Sequence, residues 1–439
     1  MRVCFYTLGC KVNLNETEAL EQLFQRNGFT VVPEGEGADV YIVNSCTVTN
    51  FGDQKSRKWL RRAKRENPAA VTVMTGCWPQ AFPEEAAKLM EADLVCGNTD
   101  RRAILDHVLA LLGGHERIVA ITPHARGEAF EELPVDRFET HTRAFIKVED
   151  GCNRRCAYCI IPKARGPVRS RSEASILAEL HKLAAAGYRE VVLSAISLPS
   201  YGADTGTDLY TLIERCAAVE GIERIRLGSL DPDMLTDEGI RRMAAVDKLC
   251  PQFHLSLQSG CDATLRRMRR PYTTAQYLET VEKLRAAYGG RPVAFTTDCI
   301  CGFPGESEED FAASCGFLER VGFLRVHVFP YSRREGTAAY SFPDQVHERE
   351  KQDRSRRMHR RAEAVRDGVL DALAGMEDEV LLETPLSATV FTGYTRLYVP
   401  VAVSAPGHAA GDIVRVRLGR RDGERCAAAL LPGGREERH

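Results

Sequence analysis

The chain of 439 residues carries 59 basic and 61 acidic side chains, a formal net charge of -2. A balance so close to neutral supplies no whole-molecule field for nucleic acid, so any polyanion site must be a local patch. With 44% hydrophobic residues and no apolar run of membrane-spanning length, the composition is globular and the length suggests roughly two to four domains.

Met1-Arg2-Val3-Cys4 leads straight into an apolar strand pattern rather than a secretory signal. The 15 cysteines are therefore expected in a reducing, cytoplasmic setting, where metal binding or catalysis outweighs disulfides. Strands are predicted over Val3–Leu8, Asp39–Val43, Val71–Met74 and Asp93–Cys96. Helices are predicted over Asn13–Gln25, Gln54–Arg65 and Pro83–Met90, and a further one follows the Asp93–Cys96 strand and runs through Leu112. This alternation argues for an open parallel α/β sheet over residues 1–125.

Cysteines recur at one place in that pattern. Cys10, Cys46 and Cys77 each follow a predicted strand, and ligands of open α/β sheets bind at the carboxyl ends of strands. Taken singly, each reads as a small buried hydrophobe. Together, in Leu8-Gly9-Cys10-Lys11-Val12-Asn13, Asn44-Ser45-Cys46-Thr47-Val48-Thr49 and Thr75-Gly76-Cys77, they favour a metal-cluster site. Cys96 also ends a strand and stays open as a ligand, whereas Cys4 lies inside one and reads as core.

The middle of the chain opens on Gly151-Cys152-Asn153-Arg154-Arg155-Cys156-Ala157-Tyr158-Cys159, after a strand predicted over Thr142–Val148. Three thiolates at this spacing hold three irons of a 4Fe-4S cluster and leave the fourth open for chemistry. A zinc site would want a second local ligand pair, and none follows. Strands at Glu190–Leu193, Arg224–Leu227, His254–Leu257, Pro292–Cys301 and Arg325–Phe329 alternate with helices. About six βα units make a partial (β/α)6 barrel, with chemistry at the carboxyl ends of its strands. Ser194, Gln258, Ser259, Gly260, Gly302 and Phe303 lie in loops after these strands and are the expected cofactor contacts.

Basic residues cluster from Arg154 to Arg171, at Arg266 to Arg270 and over Arg349–Arg361. Beside a cluster site they suggest an RNA track. Five short strands, Glu379–Leu386, Ser387–Thr392, Tyr394–Val403, Asp412–Leu418 and Cys426–Leu430, suggest a small all-β barrel of the OB kind.

The nine-residue cysteine string resembles the cluster motif of the radical S-adenosylmethionine (SAM) enzymes. The three parts in this order resemble the methylthiotransferases of that class: an N-terminal cluster domain at 1–125, a radical SAM core at 139–375 and a C-terminal TRAM domain at 378–439. Leu8 to Asn13 with Glu16-Thr17-Glu18, Asn44 to Asn50, Lys55-Ser56-Arg57, Ala164 to Pro167 and Arg169-Ser170-Arg171 are similar to the branch acting on N6-threonylcarbamoyladenosine beside the tRNA anticodon. The resemblance implies two 4Fe-4S clusters, one on Cys152, Cys156 and Cys159 that binds SAM and an auxiliary one on Cys10, Cys46 and Cys77. It implies transfer of a methylthio group to C2 of the base. One SAM methylates a sulfur at the auxiliary cluster, and another yields the 5′-deoxyadenosyl radical that takes the C2 hydrogen. It further implies the tRNA anticodon loop, an electron-donor protein and a sulfur source as partners, and no membrane. Arg165, Arg169 and Arg171 are the expected RNA contacts, with Arg165 or Arg171 facing the threonyl carboxylate. The other readings are a different tRNA adenosine, a ribosomal protein, or a non-catalytic Fe-S protein that binds RNA. Ala195, Ser197 and Asp231 depart from the usual Gly, His and Glu of the family.

Overall fold

The computed structural model describes residues 1–138 and 141–432. The expected start of the central domain at 139 and the expected end of the last one, 433–439, lie outside the described residues.

The strands Val40–Ser45 and Val71–Gly76 are buried at every position. Continuous apolar runs of this kind belong to parallel strands covered on both faces. They form the middle of a six-stranded sheet in the order Thr30–Val31, Arg2–Thr7, Val40–Ser45, Val71–Gly76, Leu94–Cys96, Ile118–Ala120, parallel throughout. The two outermost strands, two and three residues long, were not expected from the pattern. The helix Lys11–Arg26 begins two residues earlier than the spacing predicts, directly after Cys10. Thr49 caps the basic helix Asn50–Glu66 through the Gly52 amide.

Six central strands wind as a partial barrel in two parallel sheets. Arg224–Leu227, Glu190–Ser194 and Ala144–Lys147 form one sheet. Ser229–Leu230, Gln252–Leu255, Ala294–Cys301 and Arg325–Pro330 form the other. The break falls at Gly228, inside what is otherwise one strand. A short antiparallel pair, Glu149–Asp150 with Arg169–Ser170, clasps the base of the cysteine loop.

The last strands close a five-stranded barrel in the order Glu377–Pro385, Val390–Thr395, Pro400–Ser404, Arg425–Leu430, Ile413–Asp422, as a TRAM domain requires. The single strand expected over Tyr394–Val403 is two, because a turn in which Tyr398 takes φ +68° interrupts it. The 25-residue helix Glu348–Ala372 joins the two barrels. Met358 and Ala362 pack into the central core, and Leu370 into that of the C-terminal barrel. No described helix is long and apolar enough to cross a membrane.

Candidate cluster sites and the cavity between the domains

Cys10, Cys46 and Cys77 stand at the carboxyl ends of three adjacent strands of the first sheet. Their motifs are knitted together. The Asn13 amide donates to Asn44 Oδ1 at 3.1 Å and to the Ser45 carbonyl at 3.3 Å, while its own oxygen lies 3.3 Å from Cys10 Sγ. Asn44 returns a bond to the Asn13 carbonyl at 3.0 Å. Gly76 has φ +96°, and a Cβ there would meet the Ser45 backbone at 2.6 Å, so only glycine lets the third strand bring Cys77 beside Cys46. Burial pushes the Cys46 thiol up to about 12, and the neighbouring Cys77 and Cys10 add to that shift. Cys96 lies apart, buried in the sheet core, as does Cys4 on the other face.

Cys152, Cys156 and Cys159 share the loop after the first barrel strand. The Cys152 amide donates to the Gly166 carbonyl at 3.0 Å, and the Ala157 amide to that of Met268 at 2.9 Å. Arg270 Nη1 lies 3.2 Å from Cys156 Sγ. Asp231 holds Arg270 in place and lies 3.3 Å from Arg154. The Asp at this departure thus still bridges Arg154 of the cysteine loop and Arg270 beside Cys156. All 15 cysteines are free thiols, so both sets are available as ligands.

Arg165 ends the short helix Ile161–Arg165 that follows the cysteine loop, and it reaches the first set. Its Nε donates to Cys77 Sγ at 3.2 Å, and its Nη atoms reach Glu16, Asp150 and Asn13. Arg101 and Lys147 also pair with Glu16, at 2.7 and 2.8 Å, and Lys147 pairs with Asp150 at 2.6 Å. The three arginines expected to face RNA are internal. Arg165 is fully buried, Arg169 donates to the Arg165 and Pro167 carbonyls, and Arg171 pairs with Glu179, both at most 3% exposed. Their charge is already matched, which removes them as contacts for a carboxylate or a phosphate.

Several expected SAM contacts hold the scaffold instead. The Gly302 and Phe303 amides both donate to Glu306 Oε2. Phe303 is fully buried, in a cluster with Ala157, Met268 and Tyr331. Gly260 packs against the helix Glu308–Val321, where a Cβ would meet Phe317 at 2.5 Å. Ser259 shares a hydrogen bond with Ser314, and Gln258 takes φ +67° while its amide donates to the Asp298 carbonyl. Ser194 alone of the six lines the barrel cavity. Glu149, which the sequence did not single out, accepts from the Ser197 amide at 2.8 Å. Its other oxygen is buried without a partner, and burial raises the carboxyl well above the usual range. A buried oxygen without a partner so close to Cys152 calls for one.

The barrel encloses a cavity of about 730 Å³ to which all three parts contribute. The first sheet provides Cys10 and Lys11, the central barrel Ser194, Ala195 and Asp298, and the last barrel Glu383, Tyr394 and Tyr398. The two tyrosine rings stack at 4.5 Å. His254, Asp298 and His327 bring donor atoms within 4.8 Å of one another on the wall.

A partial barrel with a three-cysteine loop at its carboxyl end defines a radical SAM enzyme, and residues 146–318 match the profile of the Radical SAM superfamily. Residues 2–97 match the profile described as uncharacterized protein family UPF0004. The chain is 39% identical over 426 residues to the Threonylcarbamoyladenosine tRNA methylthiotransferase MtaB of Bacillus subtilis (strain 168), covering 95% of this chain and 93% of that protein. It is 42% identical to the protein of the same name in Aquifex aeolicus (strain VF5), over 81% of this chain and 86% of that one. With the tRNA-2-methylthio-N(6)-dimethylallyladenosine synthase of Carboxydothermus hydrogenoformans it shares 34%, over 94% and 95%. The chain belongs to the methylthiotransferase family of radical SAM enzymes. Among solved structures, the fold is like that of the radical SAM methyltransferase TsrM from Kitasatospora setae, with a TM-score of 0.57 at 14% identity, over 77% of this chain and 73% of that one.

Proposed function

We propose that this protein places a methylthio group on C2 of N6-threonylcarbamoyladenosine beside the tRNA anticodon. The observation that carries the reading is that residues of all three domains, Cys10 among them, wall one nucleoside-sized cavity, while Arg165, which follows the second cysteine set in the chain, donates to Cys77 of the first. The Bacillus subtilis and Aquifex aeolicus relatives, at 39% and 42% identity, carry the same substrate in their names, and the dimethylallyladenosine synthase is less similar, at 34%.

The residues fit two clusters. Cys152, Cys156 and Cys159 would hold a 4Fe-4S cluster that would supply one-electron reduction of SAM, and Cys10, Cys46 and Cys77 would hold a second that would supply the site of sulfur for transfer. The protein's part is to hold and shield. Arg270 and Arg165 direct N–H groups at Cys156 and Cys77, which stabilises anionic sulfur. Tyr158 packs edge-on to Phe303 at 6.5 Å and backs the cysteine loop. The barrel wall keeps water from a reactive carbon. The anticodon base must leave its stack to enter. A reducing protein and a sulfur source complete the reaction, and the enzyme works in the cytoplasm beside its tRNA.

The test is mass spectrometry of nucleosides from threonylcarbamoylated tRNA incubated anaerobically with reconstituted protein, SAM and a reductant. The expected result is a mass gain equal to replacing hydrogen with methylthio on that adenosine. A gain on dimethylallyladenosine tRNA alone would overturn the substrate. Replacing Cys10, Cys46 and Cys77 together with alanine should remove half of the iron and leave cleavage of SAM to 5′-deoxyadenosine. Full iron retention would overturn the second cluster.

A further inference from the structure

The barrel cavity gathers more positive charge than its walls neutralise. Lys11, Arg143, Arg226 and Arg325 line it against two carboxylates, Asp298 and Glu383. Two of the cations are spent on the scaffold. Arg143 pairs with Glu383 and lies 3.5 Å from Glu190. Arg226 lies 2.7 Å from Glu190 and donates to the Thr395 and Arg396 carbonyls. Asp298 faces His254, at 3.5 Å. Lys11 and Arg325 remain: among the described residues neither side chain has a hydrogen bond or an ion pair.

Two unmatched cations, both exposed on the wall of one open-mouthed cavity, favour an anion there. The same excess weighs against a divalent cation on the two histidines and Asp298. A cavity of about 730 Å³ takes one nucleoside with a side group and leaves no room for a run of backbone phosphates. The anion therefore travels on the base. We infer that Lys11 and Arg325 form a subsite for the carboxylate of the substrate's threonylcarbamoyl group. The inference rests on the substrate proposed above and goes beyond it by naming what reads the modification. Arg325 offers a planar fork for a carboxylate and Lys11 a point charge. Lys11 is the residue after Cys10, so an anchor there ties the position of the base to that of the auxiliary site. The arginines expected from sequence to take this role, Arg165 and Arg171, face inward instead.

The experiment compares two tRNAs, one carrying the natural threonylcarbamoyl group and one with its carboxylate converted to the carboxamide. Both have the same phosphates. Methylthio nucleoside formation gives kcat/KM for each, with the full-length reconstituted protein. The native protein should favour the carboxylate by about tenfold or more, since a site built to pair a charged group rejects the analogue lacking it. Lys11→Met and Arg325→Met should lose most of that preference through KM, turning over the two tRNAs at nearly equal kcat/KM. Lys11→Arg and Arg325→Lys should restore part of it. The ratio between substrates cancels any general loss of folded enzyme. A native protein that modifies both tRNAs equally well, or variants that lose equally on both, would overturn the subsite and leave the proposed function standing. No methylthio product from either tRNA with the native protein would overturn the proposed function and the subsite with it.

Discussion

The guanidinium of Arg165 is engaged on every edge, by Cys77, Glu16, Asp150 and Asn13. Removing it takes one cation from two buried carboxylates that keep Lys147, and in the case of Glu16 also Arg101. Arg165→Gln should cost about 1.5–3 kcal/mol, read as a shift in the denaturant midpoint, and Arg165→Lys should recover little because the fork is lost. Asp231→Asn should weaken the hold on Arg270 and Arg154 by about 1–3 kcal/mol, measured by the same unfolding experiment. At this scale the cysteines were legible and the arginines were not. Cys10, Cys46 and Cys77 could be placed because strand ends are visible in the hydrophobic pattern. Arg165 reads as one of a basic run because its partner Glu16 lies 149 residues away, on a helix of another domain. Lys11 drew no attention because an unpaired lysine is recognised only once its neighbours are in place.

Among the elements, the turn Gly302-Phe303-Pro304-Gly305 acts as a brace under the cysteine loop. Gly302 has φ +71°, and a Cβ there would meet Lys351 Cγ at 2.3 Å. Gly302→Ala should therefore destabilise by about 1–3 kcal/mol from backbone strain alone, and more where Lys351 cannot retreat. Thermal unfolding of the variant checks this, and an unchanged midpoint would show that the turn relaxes freely. The six barrel strands were readable from their apolar runs between helical segments. The edge strands Thr30–Val31 and Ile118–Ala120 were not, because two or three residues carry no periodicity. The break at Gly228 was equally silent, since it depends on how two sheets diverge.

Across the whole molecule, Glu190 fastens the C-terminal barrel to the central one. It pairs with Arg224 at 2.9 Å and Arg226 at 2.7 Å, and those arginines donate to the carbonyls of Tyr394, Thr395 and Arg396. The glutamate is fully buried, which opposes ionisation, but Arg226, Arg224 and Arg143 outweigh that and push its carboxyl down to about 2. The folded value lies below the unfolded value of about 4.3, so the stabilisation is complete above that pH and is lost as pH falls toward 2. The full difference is of order 3 kcal/mol. Glu190→Gln should flatten the acid limb of a stability-against-pH curve over that range, and an unchanged limb would place the lability elsewhere.

The hydrogen bond from Arg165 to Cys77 also spans 88 residues of chain. During synthesis the first sheet leaves the ribosome with Cys10, Cys46 and Cys77 before Arg165 has been translated. The cysteine site on that sheet is thus finished by a residue made later, and Glu16 waits for Arg101, Lys147 and Arg165 in turn. Maturation acquires an order from this. The helix that carries Arg165 must dock before Cys77 has its partner, and the proposed cluster, if delivered to a nascent N-terminal domain, would meet an open, unguarded site.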